Sequence, residues 1–240
     1  MTRMLLALAD HRNDASWAAR LRQRRFALFL DLLARLPRPI SVCDVGGTTE
    51  FWRGLSLPDE DDVSVTVVNL ERQQPAGERI QTLVGDAREL PFDAGSFDVV
   101  YSNSVIEHVG TFADQRRMAR EVMRVAPRYF VQTPSYFFPI EPHFLVPGFQ
   151  FLPFEVRAAL LVRRRLGWVA RAESMERARE EVRSVRLLRR SQVRALFPDA
   201  KIHVEKILGL TKSYVAYGGW EGPTSPTDAP PSRRGGASRS

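Results

Sequence analysis

Two of the four histidines in this chain stand in surroundings suited to proton transfer. His108 lies in Val105-Ile106-Glu107-His108-Val109, and His143 in Pro139-Ile140-Glu141-Pro142-His143-Phe144. An imidazole ionises near neutrality and serves as a general base without a large perturbation. Glu141 is placed to orient His143, provided the two side chains meet across Pro142. A second group of residues falls at the ends of apolar runs: Asp44 with Gly46 and Gly47, then Glu71, then Asp86 and Ala87, then Ser102 and Asn103. Ionised carboxylates offer acceptors only, and glycines let the backbone approach a ligand with no Cβ in the way.

Several chemistries are excluded by what is missing. His11 and His203 are scattered from the other two histidines, and neither C-x-x-C nor H-E-x-x-H occurs, so no metal centre is expected. A nicotinamide dehydrogenase would want G-x-G-x-x-G or a Tyr-x-x-x-Lys pair, and there is neither. There is no P-loop. Cys43, the one cysteine, sits in VCDVG and reads as a buried thiol with no internal disulfide to make. The net charge of +7 comes from 35 basic and 28 acidic residues, and only Lys201, Lys206 and Lys212 are lysines. No zinc knuckle or basic-aromatic stripe accompanies that charge, so nucleic acid is not expected as a partner. No window is apolar enough for a membrane span or a signal-peptide core, which makes a cytoplasmic protein the expectation.

These residues need a frame to bring them together. Apolar runs at 40–46, 63–71, 80–86, 97–109 and 128–134 read as strands, with a helix over 112–126. Such alternation predicts a parallel sheet covered on both faces, in an α/β, Rossmann-like doubly wound fold. The runs 201–208 and 212–217 are close enough to form an antiparallel edge hairpin, completing seven strands. Residues 16–36 carry a helical pattern ended by Pro37 and Pro39, expected to pack on one edge of the domain. Between 134 and 154 five prolines stand among aromatics that include Tyr136, Phe137, Phe138, Phe144, Phe149 and Phe151, which excludes a long helix and predicts a packed loop. A helical cap follows from about 155 to 183, then a short helix with Ser191 as its N-cap. One domain over 1–222 is expected, with the N-terminal helical segment at 1–36, the cap insertion at 134–190 and a disordered tail at 223–240.

Asp44-Val45-Gly46-Gly47-Thr48 after a first strand, Glu71 after a second, Asp86 after a third, and LPFDAGSFDVVYSNSVIEHV leading through a fourth resemble the class I S-adenosylmethionine-dependent methyltransferases, small-molecule branch. The resemblance covers roughly 40–134. It implies S-adenosylmethionine as cofactor, Glu71 on the ribose hydroxyls, Asp86 and Ala87 on the adenine, and Asp44, Gly46, Gly47, Ser102 and Asn103 around the methionine end. Where the family usually carries a glycine two residues after Gly46, this chain has Thr48.

Methyl transfer from a sulfonium is an in-line displacement, so the protein chiefly aligns the nucleophile and keeps water out. An alcohol or phenol must also lose a proton, and this assigns His143, oriented by Glu141, as the first candidate base and His108 as the second. A small-molecule acceptor methylated at oxygen beneath the aromatic loop is the expected substrate, with nitrogen, carbon or a non-catalytic scaffold as alternatives. The chain is also compatible with a homodimer.

Overall fold

β-branched residues crowd the runs read as strands, and in the computed structural model, which describes residues 17–54 and 62–221, each becomes one. They are β1 (Ile40–Val45), β2 (Val63–Asn69), β3 (Ile80–Val84), β4 (Val99–Asn103), β5 (Arg128–Pro134), β6 (Lys201–Ile207) and β7 (Leu210–Gly218). The helices are α1 (Trp17–Leu33), α2 (Thr49–Arg53), α3 (Phe112–Val125), α4 (Phe154–Arg163), α5 (Met175–Arg183) and α6 (Arg190–Leu196). The sheet runs β3-β2-β1-β4-β5-β7-β6. β1 to β5 pair in parallel, whereas β7 lies antiparallel to both β5 and β6. The strand order reverses between β1 and β4, which is where open α/β sheets bind their ligands. The opening stretch and the tail expected at 223–240 lie outside the described residues.

Each face of the sheet buries a separate apolar layer. On one, Phe26, Phe29, Leu32 and Leu33 of α1 pack against Val42, Val65, Tyr101 and Phe130. The helix expected at an edge therefore covers a face, because the apolar run at its C-terminal half is too wide for an edge. Burying a side chain the size of Phe29 is worth about 1.5–3 kcal/mol. On the other face, Met118, Val122 and Val125 of α3 and Val193 and Leu196 of α6 meet Cys43, Val45 and Val131. α3 begins with a reciprocal cap: Asp114 N–H donates to Thr111 Oγ1 (3.3 Å) and Thr111 N–H to Asp114 Oδ2 (2.8 Å).

Four local expectations are corrected. The helical cap of 155–183 is two helices, interrupted at Gly167, whose φ is +53°. A Cβ there would stand 2.6 Å from the His143 carbonyl oxygen, so the chain turns back against the aromatic segment. α4 and α5 enclose an apolar cluster of their own with Phe144, Phe149 and Leu161. Ser191 lies inside α6, and the helix start is closed instead by Gln192 Oε1 accepting the Arg189 N–H at 3.0 Å. β2 stops at Asn69, two residues short of Glu71, and β3 stops at Val84, two short of Asp86. The β6–β7 hairpin turns on Leu208 and Gly209, both left-handed (φ 49° and 82°), as a two-residue connection requires.

Candidate active site

β1 delivers Asp44 to the C-terminal edge of the sheet, where it is buried and 1% exposed. Trp52 Nε1 of α2 donates to its Oδ2 at 2.6 Å, while Oδ1 is buried without a partner among the described residues. Burial drives this carboxyl up to about 7, with the Trp52 bond opposing. Gly47 closes over it so tightly that a Cβ would fall 1.7 Å from Asp44 Oδ2. Gly46 adopts φ +79°, and a Cβ on it would strike Val105 at 2.5 Å. Both glycines are therefore required by the backbone. Thr48, the departure from the family pattern, is the N-cap of α2, its Oγ1 taking the Phe51 N–H at 3.4 Å.

The remaining cofactor-side residues divide by environment. Glu71 is exposed beyond β2, and its N–H donates to Asn69 Oδ1 (3.1 Å) while Asn69 Nδ2 donates to the Gly47 carbonyl (2.9 Å). That chain ties the Glu71 turn to the glycine turn. Asp86 is held by Arg88 through Nε (2.9 and 3.0 Å) and Nη2 (2.5 Å), and the Arg88 guanidinium holds its carboxyl below the usual range. Ala87 packs against the core beside it. Ser102 is fully buried and donates to the Val45 carbonyl at 2.9 Å, so its hydroxyl fastens β4 to β1. Asn103 accepts a short hydrogen bond from Arg25 of α1, a partner that no local pattern signals.

The proton-transfer side assembles more closely than sequence spacing implied. Glu141, 2% exposed, takes His143 Nδ1 at 2.6 Å and the backbone N–H groups of His143 (2.8 Å) and Phe144 (2.7 Å). The turn at Pro142 thus folds the glutamate onto the imidazole rather than separating them. His143 Nε2 lies 3.0 Å from His108 Nε2. Burial alone would lower His143, but the hydrogen bond and charge of Glu141 outweigh it, and the imidazole is raised above its ordinary value. His108 keeps an exposed edge, yet protein packed around the ring, and next the neighbouring His143, push it down to about 4. Of the two imidazoles, His143 is therefore the stronger base.

Glu107 is a candidate site residue that the sequence reading did not select. It is fully buried, bonded by Thr133 Oγ1 at 3.0 Å through Oε2, with Oε1 unpartnered among the described residues. Burial raises it to about 7. Its signal was present but faint: an acid inside an apolar run, on a short 3-10 turn (Ile106–His108). Glu107, His108 and His143 each bring one ligand-type atom within 4.8 Å of the others, a spacing that a divalent cation accepts although the linear sequence offers no metal motif. Beside this cluster, Glu141 forms part of the wall of a cavity of about 740 Å³ under α4 and α5. The aromatics sort themselves around it: Phe144 and Phe149 are buried and stacked at 4.2 Å, whereas Phe137 and Phe151 are exposed.

Comparison with known proteins places this architecture. A methyltransferase-domain family model matches residues 60–128, from β2 to the start of β5. Norajmaline N-methyltransferase of Rauvolfia serpentina is 31% identical over 112 residues, which is 42% of this chain and 37% of that enzyme. The match thus spans little more than a third of the curated relative. A solved SAM-dependent methyltransferase of Methanosarcina mazei shares the fold at 11% identity and a TM-score of 0.50, over 78% of this chain and 95% of its own. Residues 60–128 are thus similar to a methyltransferase domain, and the chain shares the fold of a solved SAM-dependent methyltransferase.

Proposed function

We propose that this chain transfers a methyl group from S-adenosylmethionine to an oxygen of a small-molecule acceptor, with His143 as the base. The observation that carries the reading is the Glu141–His143–His108 cluster, in which a buried carboxylate that also lines the cavity is bonded at 2.6 Å to the imidazole. When bound, S-adenosylmethionine supplies an activated methyl group on a sulfonium. The orphaned Asp44 oxygen and the Gly46–Gly47 cradle fit such a ligand, since a buried acceptor without a donor is costly unless something binds it. Glu71, Asp86, Ala87 and Asn103 would complete that side, Asp86 by releasing or sharing Arg88. On the acceptor side, Glu141 fixes His143, and His143 takes the hydroxyl proton as the oxygen attacks. The hydroxyl proton stays on His143 Nε2, from which the bound acceptor displaces His108, the weaker base. Phe144 and Phe149 give the cavity an apolar wall.

The name of the Rauvolfia relative favours a second reading, methylation at nitrogen. A neutral amine needs no base, so His143 would then only anchor it. Titration calorimetry with S-adenosylhomocysteine tests the donor site: micromolar binding by the wild type, lost in Glu71→Ala, is expected, and no binding by the wild type sinks the reading. With an acceptor found by screening, His143→Gln should lower kcat about 100-fold or more for a phenol. An amine assayed above its own ionisation should lose less than about threefold. Chelator treatment should leave both rates unchanged, and a loss restored by zinc or magnesium would move Glu107, His108 and His143 from proton transfer to cation binding.

A further inference from the structure

The cavity beside Glu141 gathers four guanidiniums from the cap: Arg157 of α4, Arg183 at the end of α5, and Arg186 and Arg189 in the segment leading to α6. Among the described residues no salt bridge joins any of the four to a carboxylate, although other arginines of the same region pair readily, such as Arg177 with Glu181 and Arg179 with Glu155. They are held instead against rings. Arg157 and Arg183 lie over Phe154 at 5.7 and 5.0 Å, Arg186 over Phe112 at 5.1 Å, and Arg189 over Tyr136 at 5.0 Å. Stacking on an aromatic face fixes a guanidinium while leaving its N–H edge to bind something else, and Arg186 already gives one of its N–H groups, on Nη1, to Gln115 Oε1 at 2.8 Å.

Two acids also line the cavity, and both are already engaged. Glu141 is taken by His143 and two backbone N–H groups, and Asp114 by Thr111 and Arg117. The charge facing the cavity is therefore strongly positive. Burial lowers Arg157, and burial together with the neighbouring Arg189 charge lowers Arg186. Two buried polar atoms on the lining side chains are left without a partner among the described residues: Arg157 Nε, a donor, and Gln150 Oε1, an acceptor. Gln150 is 7% exposed, and its amide nitrogen donates to the Tyr136 (3.1 Å) and Phe138 (2.6 Å) carbonyls, which fixes the oxygen's orientation. An apolar part of the wall comes from Phe144, Phe149 and Leu187.

We infer that this cavity binds small molecules with an apolar ring body, one anionic group (carboxylate or phosphate) and a hydroxyl or amine. The anion sits among Arg157, Arg183, Arg186 and Arg189, the donor group meets Gln150 Oε1, and the ring lies on Phe144 and Phe149. This deepens the acceptor side of the reading above and rests on it for the fate of the ligand, though not for its binding.

The test measures binding of 1-naphthoate, 1-naphthyl phosphate and uncharged 1-naphthalenemethanol to the full chain by equilibrium dialysis, with and without saturating S-adenosylhomocysteine. At least one anion should bind at least tenfold more tightly than the alcohol, and the preferred anion names the group, carboxylate or phosphate. Arg157→Met and Arg183→Gln should each weaken that anion about tenfold, while Arg157→Lys keeps most of the affinity. S-adenosylhomocysteine affinity, the check that each variant is folded, should stay unchanged. Equal binding of the alcohol, or unweakened anion binding in both neutral variants, overturns the inference. Anion binding without any S-adenosylhomocysteine binding would instead keep it and remove the methyl-transfer reading.

Discussion

At the residue scale, the site is built on carboxylates placed where water does not reach. Asp44 ionises at about 7 in the folded chain against an ordinary 3.8. The folded state thus holds a proton that the unfolded state releases, so this group's contribution to stability is full below about pH 4 and is lost as pH rises toward 7. Asp44→Asn should therefore gain on the wild type between pH 5 and pH 8, by about 2–4 kcal/mol in urea unfolding, while weakening S-adenosylhomocysteine at least tenfold. A difference that does not change with pH would show that the buried carboxyl titrates normally. Glu141 acts in the opposite sense on His143. Glu141→Gln removes the charge that raises the imidazole, so the acid limb of the rate profile should move to lower pH, with kcat reduced. An unmoved limb would remove His143 as the titrating base. Residue types made much of this legible: glycines at a strand end, acids at successive strand ends, and a histidine two residues from a glutamate. What could not be read was which acids were already engaged. The Arg88 grip on Asp86 turns on side-chain geometry, and the Arg25 bond to Asn103 joins positions 78 residues apart.

At the element scale, the strands and α3 were readable because their apolar periods are strong, whereas the cap was not. A charged helical pattern does not announce a break, and the break at Gly167 is imposed by the close approach of the His143 backbone. Thr48 shows how an apparent defect in a motif resolves locally. Its hydroxyl caps α2, and α2 carries the Trp52 that holds Asp44. Thr48→Gly restores the family glycine and should cost only a few tenths of a kcal/mol, and Thr48→Ala about 1 kcal/mol. Thermal unfolding checks both, and a larger loss for glycine than for alanine would show that the hydroxyl is not the cap.

On the scale of the whole molecule, one ion pair joins elements 180 residues apart. Arg25 of α1 reaches Glu205 of β6 at 2.8 and 3.0 Å with both side chains buried. Burial alone would raise Glu205, but the Arg25 charge and hydrogen bonds carry it below its ordinary value. Lys212 lies close by and is lowered by burial and by Arg25. Removing Glu205 leaves these cations facing one another, so Glu205→Gln should cost about 3–5 kcal/mol, and Arg25→Met with Glu205→Leu much less than either single change. Urea unfolding of the cycle decides, and additive losses would mean that the two residues act separately.

The sheet order has a consequence for the timing of synthesis. Among the described residues β7 is the last strand made, yet it lies inside the sheet, between β5 and β6. While the chain emerges, the hydrogen-bonding edge of β5 stays open until residues 210–218 arrive, and β6 has no neighbour to join. The first helix meets the same delay, since the carboxylate awaiting Arg25 comes with β6. Five strands can assemble early, but the molecule closes late and from its C-terminal end, and an open strand edge is what a chaperone or another nascent chain would find first.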